Sequence, residues 1–241
     1  MASSPQNCAL ITGASSGIGR ATAIALAQAG YNLALVSRSK EALTTVANEA
    51  QAHGASAQVF VIDLADLPQV KAAITSAIEA CGPIDVLVNN AGMGYTGKLE
   101  EMTLSDWQRV MDLNLTSPLL CTQALLPHMR DRGRGTIVNV ASIAAYQAFP
   151  DWGAYGVSKA GLVMLSKAFA VEAREAGIRV VTLSPGAVNT SIWDTDTVEA
   201  DFDRTQMLTP DIVAQAVMQT VTLPQGAVIE EVKILPSGGA L

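Results

Sequence analysis

A chain of 241 residues is long enough for one large α/β domain or two small ones. Apolar residues make up 49 % and charged residues 15 %, which excludes a disordered polyelectrolyte, and aromatics at 5 % leave Ala, Val, Leu and Ile to build the core. A net charge of −7 without any basic run argues against nucleic acid as a partner.

The start, Met1 to Asn7, is short and polar and has neither the basic nor the apolar region of a signal peptide. Cys8-Ala-Leu-Ile-Thr12 is an apolar run that reads as a buried strand. It runs into Thr12-Gly-Ala-Ser-Ser-Gly-Ile-Gly19, and an amphipathic helix follows to about Gly30. Strand, glycine turn and helix in that order make a phosphate site. Glycines let the backbone come close to a pyrophosphate, and the helix start offers free N–H groups. Gly13, Ser15, Ser16, Gly17, Ile18 and Gly19 are therefore candidate cofactor residues.

A second strand spans Tyr31 to Val36. An acid near its end would take the ribose 2′-hydroxyl of NAD, but the chain reads Ser37-Arg38-Ser39. An arginine there suits a 2′-phosphate, so NADP(H) is the expected cofactor. The helix 40–53, the strand 57–62 ending in Asp63-Leu64, and the helix 67–80 come next, closed by Gly82-Pro83. The strand 84–88 leads into Asn89-Asn90-Ala91-Gly92, a polar turn where open α/β sheets bind ligands. Helical periodicity runs over 104–129 with an interruption near Pro118.

The strand 135–141 is followed at once by Ser142, and a loop 143–152 carries Tyr146, Phe149, Pro150 and Trp152. The helix 153–176 opens with Tyr155 and Lys159, four apart and so on one face. A phenol ionises near pH ~10, and a lysine charge beside it favours phenolate. Such a tyrosine exchanges a proton near neutral pH. The strand 178–183 ends in Ser184-Pro185-Gly186, and the acidic stretch 189–207 reads as a lid or substrate loop. Trp152 and Trp193 either line the substrate pocket or make core or subunit contacts. A helix over 210–222 and a strand over 228–235 precede the tail Pro236–Leu241.

The chain from the Thr12–Gly19 turn through Asn89–Gly92, Asn114, Ser142 and Tyr155-x-x-x-Lys159 to Pro185-Gly186 resembles the short-chain dehydrogenase/reductase family over its whole length. The resemblance implies a single doubly wound Rossmann-type α/β domain over 1–241, its seven-stranded parallel sheet covered by helices on both faces. It implies Asn114, Ser142, Tyr155 and Lys159 as catalytic residues. Tyr155 is the general acid, Lys159 tunes it and holds the nicotinamide ribose, Ser142 holds the substrate oxygen, and Asn114 anchors a water relay. Cofactor contacts extend by the same resemblance to Ser37, Arg38, Asp63, Leu64, Asn90, Ala91, Gly92, Pro185, Gly186, Val188 and Thr190.

The expected activity is NADPH-dependent reduction of a small ketone or aldehyde by a cytoplasmic homodimer or homotetramer. No metal, membrane or nucleic-acid partner is expected. The alternatives are a 3-oxoacyl thioester reductase, an NAD-linked alcohol dehydrogenase and a catalytically silent dinucleotide sensor. Ser16 in the glycine turn and Pro236-Ser-Gly-Gly239 at the end depart from the pattern of 3-oxoacyl carrier-protein reductases. The acidic lid, with Asp194, Asp196, Glu199, Asp201 and Asp203, does not favour a large anionic substrate. The three cysteines, Cys8, Cys81 and Cys121, lack a CxxC spacing and read as buried free thiols.

Overall fold

Near-continuous apolar runs such as Ala9–Ile11 and Leu33–Val36 need cover on both faces, which is the position of strands inside a parallel sheet. The computed structural model describes residues 7–239 and builds such a sheet. The polar start 1–6 and the last two residues of the tail lie outside the described residues. The elements alternate in order: β1 (Cys8–Thr12), α1 (Gly17–Gln28), β2 (Asn32–Ser37), α2 (Lys40–Ala52), β3 (Ala57–Val61), α3 (Leu67–Cys81) and β4 (Val86–Asn89). Then come α4 (Leu104–Met111), α5 (Ser117–Arg132), β5 (Gly135–Val140), α6 (Gly153–Ala173), β6 (Ile178–Pro185), α7 (Pro210–Val221) and β7 (Glu231–Ile234).

One sheet holds the strands in the order β3-β2-β1-β4-β5-β6-β7, every pairing parallel. Winding reverses between β1 and β4, and that switch point opens a crevice at the carboxyl ends of the strands. Alternate residues of each strand serve opposite faces. Ala9, Ile11, Leu33 and Leu35 pack with α1, α2 and α7 through Leu26, Leu43 and Val217. Leu10, Ala34, Val36 and Leu87 pack with α3, α5 and α6 through Ile74, Leu125 and Phe169. Burying a leucine such as Leu10 or Leu87 contributes about 1.5–3 kcal/mol. An exposed ion pair such as Arg20–Glu49, at 2.7 Å, contributes at most about 1 kcal/mol. The two apolar layers therefore carry the fold.

The expected helix 104–129 is two helices joined by one π turn, Asp112–Thr116, in which the Ser117 N–H reaches back to the Asp112 carbonyl. Pro118 explains the distortion. It lacks the N–H that would bond the Asn114 carbonyl four residues back, and its ring crowds that carbonyl. The strand expected from Ile84 starts at Val86, because Asp85 has other duties. Its carboxylate accepts from the Cys8 N–H at 3.0 Å and pairs with Arg132 and Arg134. The strand expected over 228–235 shortens to β7. Arg179 draws the carbonyls of Leu223 and Ala227 to itself, at 3.0 and 3.2 Å, and bends the approach. No described helix is long and apolar enough to cross a membrane.

Candidate active site

A cleft of about 1130 Å³ lies at the carboxyl ends of the strands. One end is set by the β1–α1 turn, where Gly13 and Gly17 adopt left-handed φ values of +64° and +51°. A Cβ on Gly19 would sit 2.2 Å from the Gly13 carbonyl oxygen, so only glycine lets α1 close on the turn. A Cβ on Gly17 would meet Thr190 Cγ2 at 3.0 Å, which places Thr190 over the turn. The turn is tied to the one after β4 through Thr12. Its Oγ1 accepts from the N–H groups of Asn90 and Ala91, both at 3.0 Å, and donates to the Val88 carbonyl at 3.3 Å. The Asn90 amide returns bonds to the Thr12 and Gly13 carbonyls at 3.1 and 3.3 Å.

Ser37 and Arg38 stand at the end of β2 on the cleft wall, and Arg38 is exposed. Among the described residues no carboxylate pairs with Arg38. Asp63 turns the chain after β3 by accepting from the Ala65 N–H at 3.0 Å, and Leu64 is buried beside it.

The catalytic candidates gather where β5 meets α6. Ser142 is extended, and its Oγ accepts from the Ala144 N–H at 3.1 Å, which leaves its own proton free to point outward. Tyr155 sits in the first turn of α6, and Lys159 lies one turn on, its Nζ 5.7 Å from the Tyr155 ring centroid. Lys159 is buried and donates to the Val140 carbonyl at 2.9 Å. Burial pushes its ammonium down to about 8. Burial also pushes the Tyr155 phenol up, while the neighbouring Ser142 hydroxyl pulls it back in part. The lowering expected from the Lys159 charge is thus not the dominant effect: desolvation outweighs it among the protein's own groups.

Asn114 occupies the centre of the π turn and is fully buried. Its Oδ1 accepts from the Met93 N–H at 2.8 Å, and its Nδ2 donates to the Met93 carbonyl at 2.9 Å and to Ser158 Oγ at 3.0 Å. Ser158 Oγ in turn donates to the Tyr155 carbonyl at 2.7 Å. A Cβ on Gly92 would lie 3.0 Å from Asn114 Oδ1 and 3.4 Å from Lys159 Nζ, so both groups flank that glycine.

The acidic stretch 189–207 folds over the cleft as two short 3₁₀ turns, Ser191–Asp194 and Arg204–Gln206. Arg204 holds it, donating to Asn189 Oδ1 at 3.0 Å, to the Thr190 carbonyl at 2.7 Å and to Asp194 Oδ1 at 2.7 Å. Three bonds seal it to the loop after β4. The Thr96 N–H donates to the Thr197 carbonyl at 2.9 Å, Thr197 Oγ1 to the Gly94 carbonyl at 2.8 Å, and the Glu199 N–H to Thr96 Oγ1 at 2.7 Å.

The sequence model described as short chain dehydrogenase matches residues 7–200. The chain belongs to the short-chain dehydrogenase/reductase family. It is 35 % identical over 237 residues to a protein named sepiapterin reductase from Chlorobaculum tepidum, covering 95 % of this chain and 96 % of that one. Among solved structures it is similar to an alcohol dehydrogenase from Thermococcus sibiricus complexed with 5-hydroxy-NADP. That likeness has a TM-score of 0.86 and 31 % identity and covers 95 % of each chain. It is also similar to an actinorhodin polyketide ketoreductase with NADPH, at a TM-score of 0.86 and 32 % identity over 98 % of this chain and 97 % of that one.

In this short-chain dehydrogenase the cleft wall holds every residue expected from the sequence except Gly19 and Asn114, which lie one layer behind it. Pro185, Gly186 and Val188 form the wall at the end of β6, where the Gly186 N–H donates to the Ile234 carbonyl at 2.8 Å. Trp152 and Trp193 both line the cleft. Thr12 and Arg204 were not among the expected residues. Thr12 closes a strand and carries a hydroxyl beside the glycine turn, a signal that could have singled it out. Arg204 is the one cation of the acidic stretch, but its three partners follow only from the folded lid.

Proposed function

We propose that the whole chain, 1–241, works as one NADPH-dependent carbonyl reductase domain, with Tyr155 as the general acid. What supports this most is the convergence of the Ser142 hydroxyl, the Tyr155 phenol and the Lys159 ammonium at one end of a cleft whose other end is a glycine turn. The residues present suit a dinucleotide. The Gly13–Gly19 turn, Asn90, Ala91 and Gly92 would hold the pyrophosphate and neighbouring ribose. Asp63 and Leu64 would border the adenine, Pro185, Gly186, Val188 and Thr190 would receive the carboxamide, and Arg38 with Ser37 would take a 2′-phosphate. The 5-hydroxy-NADP and NADPH complexes of the two structural relatives support the choice of cofactor.

When bound, the cofactor supplies a hydride. The protein's part is to hold the carbonyl oxygen between two hydroxyls. Ser142 Oγ donates a hydrogen bond to that oxygen, and Tyr155 Oη delivers the proton as negative charge builds there. A phenol kept above its ordinary value remains protonated at neutral pH, as a general acid must. Lys159 carries positive charge beside the phenolate left behind, and Asn114 holds the loop after β4 where a water can return the proton. A second reading, reduction of a 3-oxoacyl thioester, is favoured by the likeness to the polyketide ketoreductase.

Turnover of carbonyl substrates with NADPH tests the proposal. Tyr155→Phe should lower kcat by about 10²–10⁴-fold, the usual worth of a positioned general acid; unchanged turnover refutes the mechanism. Arg38→Asp should exchange the preference from NADPH to NADH, and equal affinity for both cofactors in the parent protein refutes the 2′-phosphate argument. We also propose a homodimer or homotetramer. Leu104 of α4 and Met164 and Val171 of α6 are 79 %, 66 % and 71 % exposed, apolar surface that a second copy would cover. Light scattering that gives the monomer mass refutes this.

A further inference from the structure

The wall beside Tyr155 is a run of aromatic rings. Trp152 meets Tyr155 edge to face with centroids 5.2 Å apart, Trp193 meets Trp152 at 5.6 Å, and Phe202 meets Trp193 at 5.5 Å. All four line the cleft, and none is fully buried. The run is held in place from behind. Trp193 Nε1 donates to the Val188 carbonyl at 2.7 Å, which uses the one polar atom of that indole and leaves its surface apolar. Trp152 follows Asp151, a non-glycine residue in the left-handed region at φ 64°. The turn is pinned on both sides, by the Gly97 N–H to the Asp151 carbonyl at 2.8 Å and by the Trp152 N–H to the Phe149 carbonyl at 3.2 Å.

The charge that the ring-bearing segments bring to this wall has one sign, while Lys159 and Arg109 line the same cleft. The segments 143–155 and 190–202, which carry the rings, add Asp151, Asp194, Asp196 and Glu199 to the cleft and contain no lysine or arginine. Asp194 is neutralised by Arg204. Among the described residues no salt bridge engages the other three. A carboxylate or phosphate on a substituent lying along the rings would meet like charge from these two segments, at a cost of about tenfold or more in affinity.

We infer that the site takes ketones whose carbonyl carries a flat aromatic ring and no anionic group, with Trp152 and Trp193 setting the preference. This rests on the carbonyl-reductase reading and adds the substrate class to it. With the carbonyl oxygen at Tyr155 and Ser142, the substituent lies along the rings, where an aromatic ring makes the same edge contacts that the wall residues make with each other. A thioester on a phosphorylated carrier arm meets the acidic side.

The test uses the full chain, NADPH and two matched pairs of substrates. Acetophenone is set against cyclohexyl methyl ketone, and methyl benzoylformate against benzoylformate. The aromatic and the uncharged member of each pair should have the higher kcat/KM. Trp193→Leu, which keeps apolar bulk, should lower the ratio of acetophenone to cyclohexyl methyl ketone about tenfold, the worth of one aromatic contact with its buried area. Phe202→Leu should move it the same way by less. Turnover without a preference in the first pair, or a Trp193→Leu variant that leaves the ratio in place, overturns the inference while the reductase reading stands. Tryptophan fluorescence is read alongside. If no carbonyl is reduced, the reductase reading falls; quenching by acetophenone and not by its saturated counterpart then still supports the ring site, and its absence overturns that too.

Discussion

Lys159 holds its charge against the fold, and replacing it shows by how much. Its ammonium falls from an ordinary 10.5 to about 8 through burial. That difference corresponds to about 3 kcal/mol of stability withheld at neutral pH. The sign follows from proton counts. Between pH 8 and 10.5 the unfolded chain binds a proton at Lys159 that the folded chain has lost, so stability gained from this residue rises with pH across that window. Lys159→Met removes the penalty and loses the bond to the Val140 carbonyl, at a cost of about 1–2 kcal/mol. At pH 7 the variant should therefore be more stable than the parent by about 1–2 kcal/mol, while its turnover should fall. By pH 9.5 the parent should have recovered about 2 kcal/mol relative to the variant. Urea unfolding of both proteins at pH 7 and 9.5 measures this. The comparison cancels Cys121, whose thiol burial pushes up to about 12 and which titrates in both chains. A difference between the two proteins that stays flat with pH, or grows in the variant's favour, refutes the reasoning.

Two further substitutions probe the architecture of the cleft. Thr12→Val should destabilise the fold by about 3 kcal/mol, because two N–H donors after β4 lose their acceptor. Thr12→Ser should restore most of it in thermal unfolding, and a harmless Thr12→Val means the hydroxyl does not tie the two turns. Gly94→Ala puts a Cβ 2.6 Å from Val198 Cγ2 and should prise the 190–207 segment from its seat. The expected result is a KM raised several-fold and a rescue by adding Val198→Ala; failure of that rescue rejects the steric account.

How far the sequence could be read depends on where each signal is stored. Ala9–Ile11 and Leu33–Val36 announce buried strands because the sheet is covered on both faces, and glycines at 13, 17 and 19 announce a close turn because no other residue fits there. Tyr155 and Lys159 share a face by helical spacing alone. The start of β4 and the length of β7 were less legible, since Asp85 and Arg179 choose partners far along the chain. Pro118 told of a break in the helix but not that Asn114 would fill a π turn four residues earlier.

Local chemistry, then, was determined by the sequence: a strand–glycine–helix turn, an arginine where an acid would suit NAD, a tyrosine and lysine one turn apart. These depend on spacing within a few residues, which the chain carries whatever its surroundings. Only the tertiary structure decided that burial outweighs the lysine charge at Tyr155. It alone seated the acidic stretch on Thr96 and Gly94, about a hundred residues away, and lined up Trp152, Trp193 and Phe202 beside the phenol. Desolvation and side-chain contact are sums over neighbours from distant segments, and those neighbours exist only once the sheet has brought the ends of its strands together.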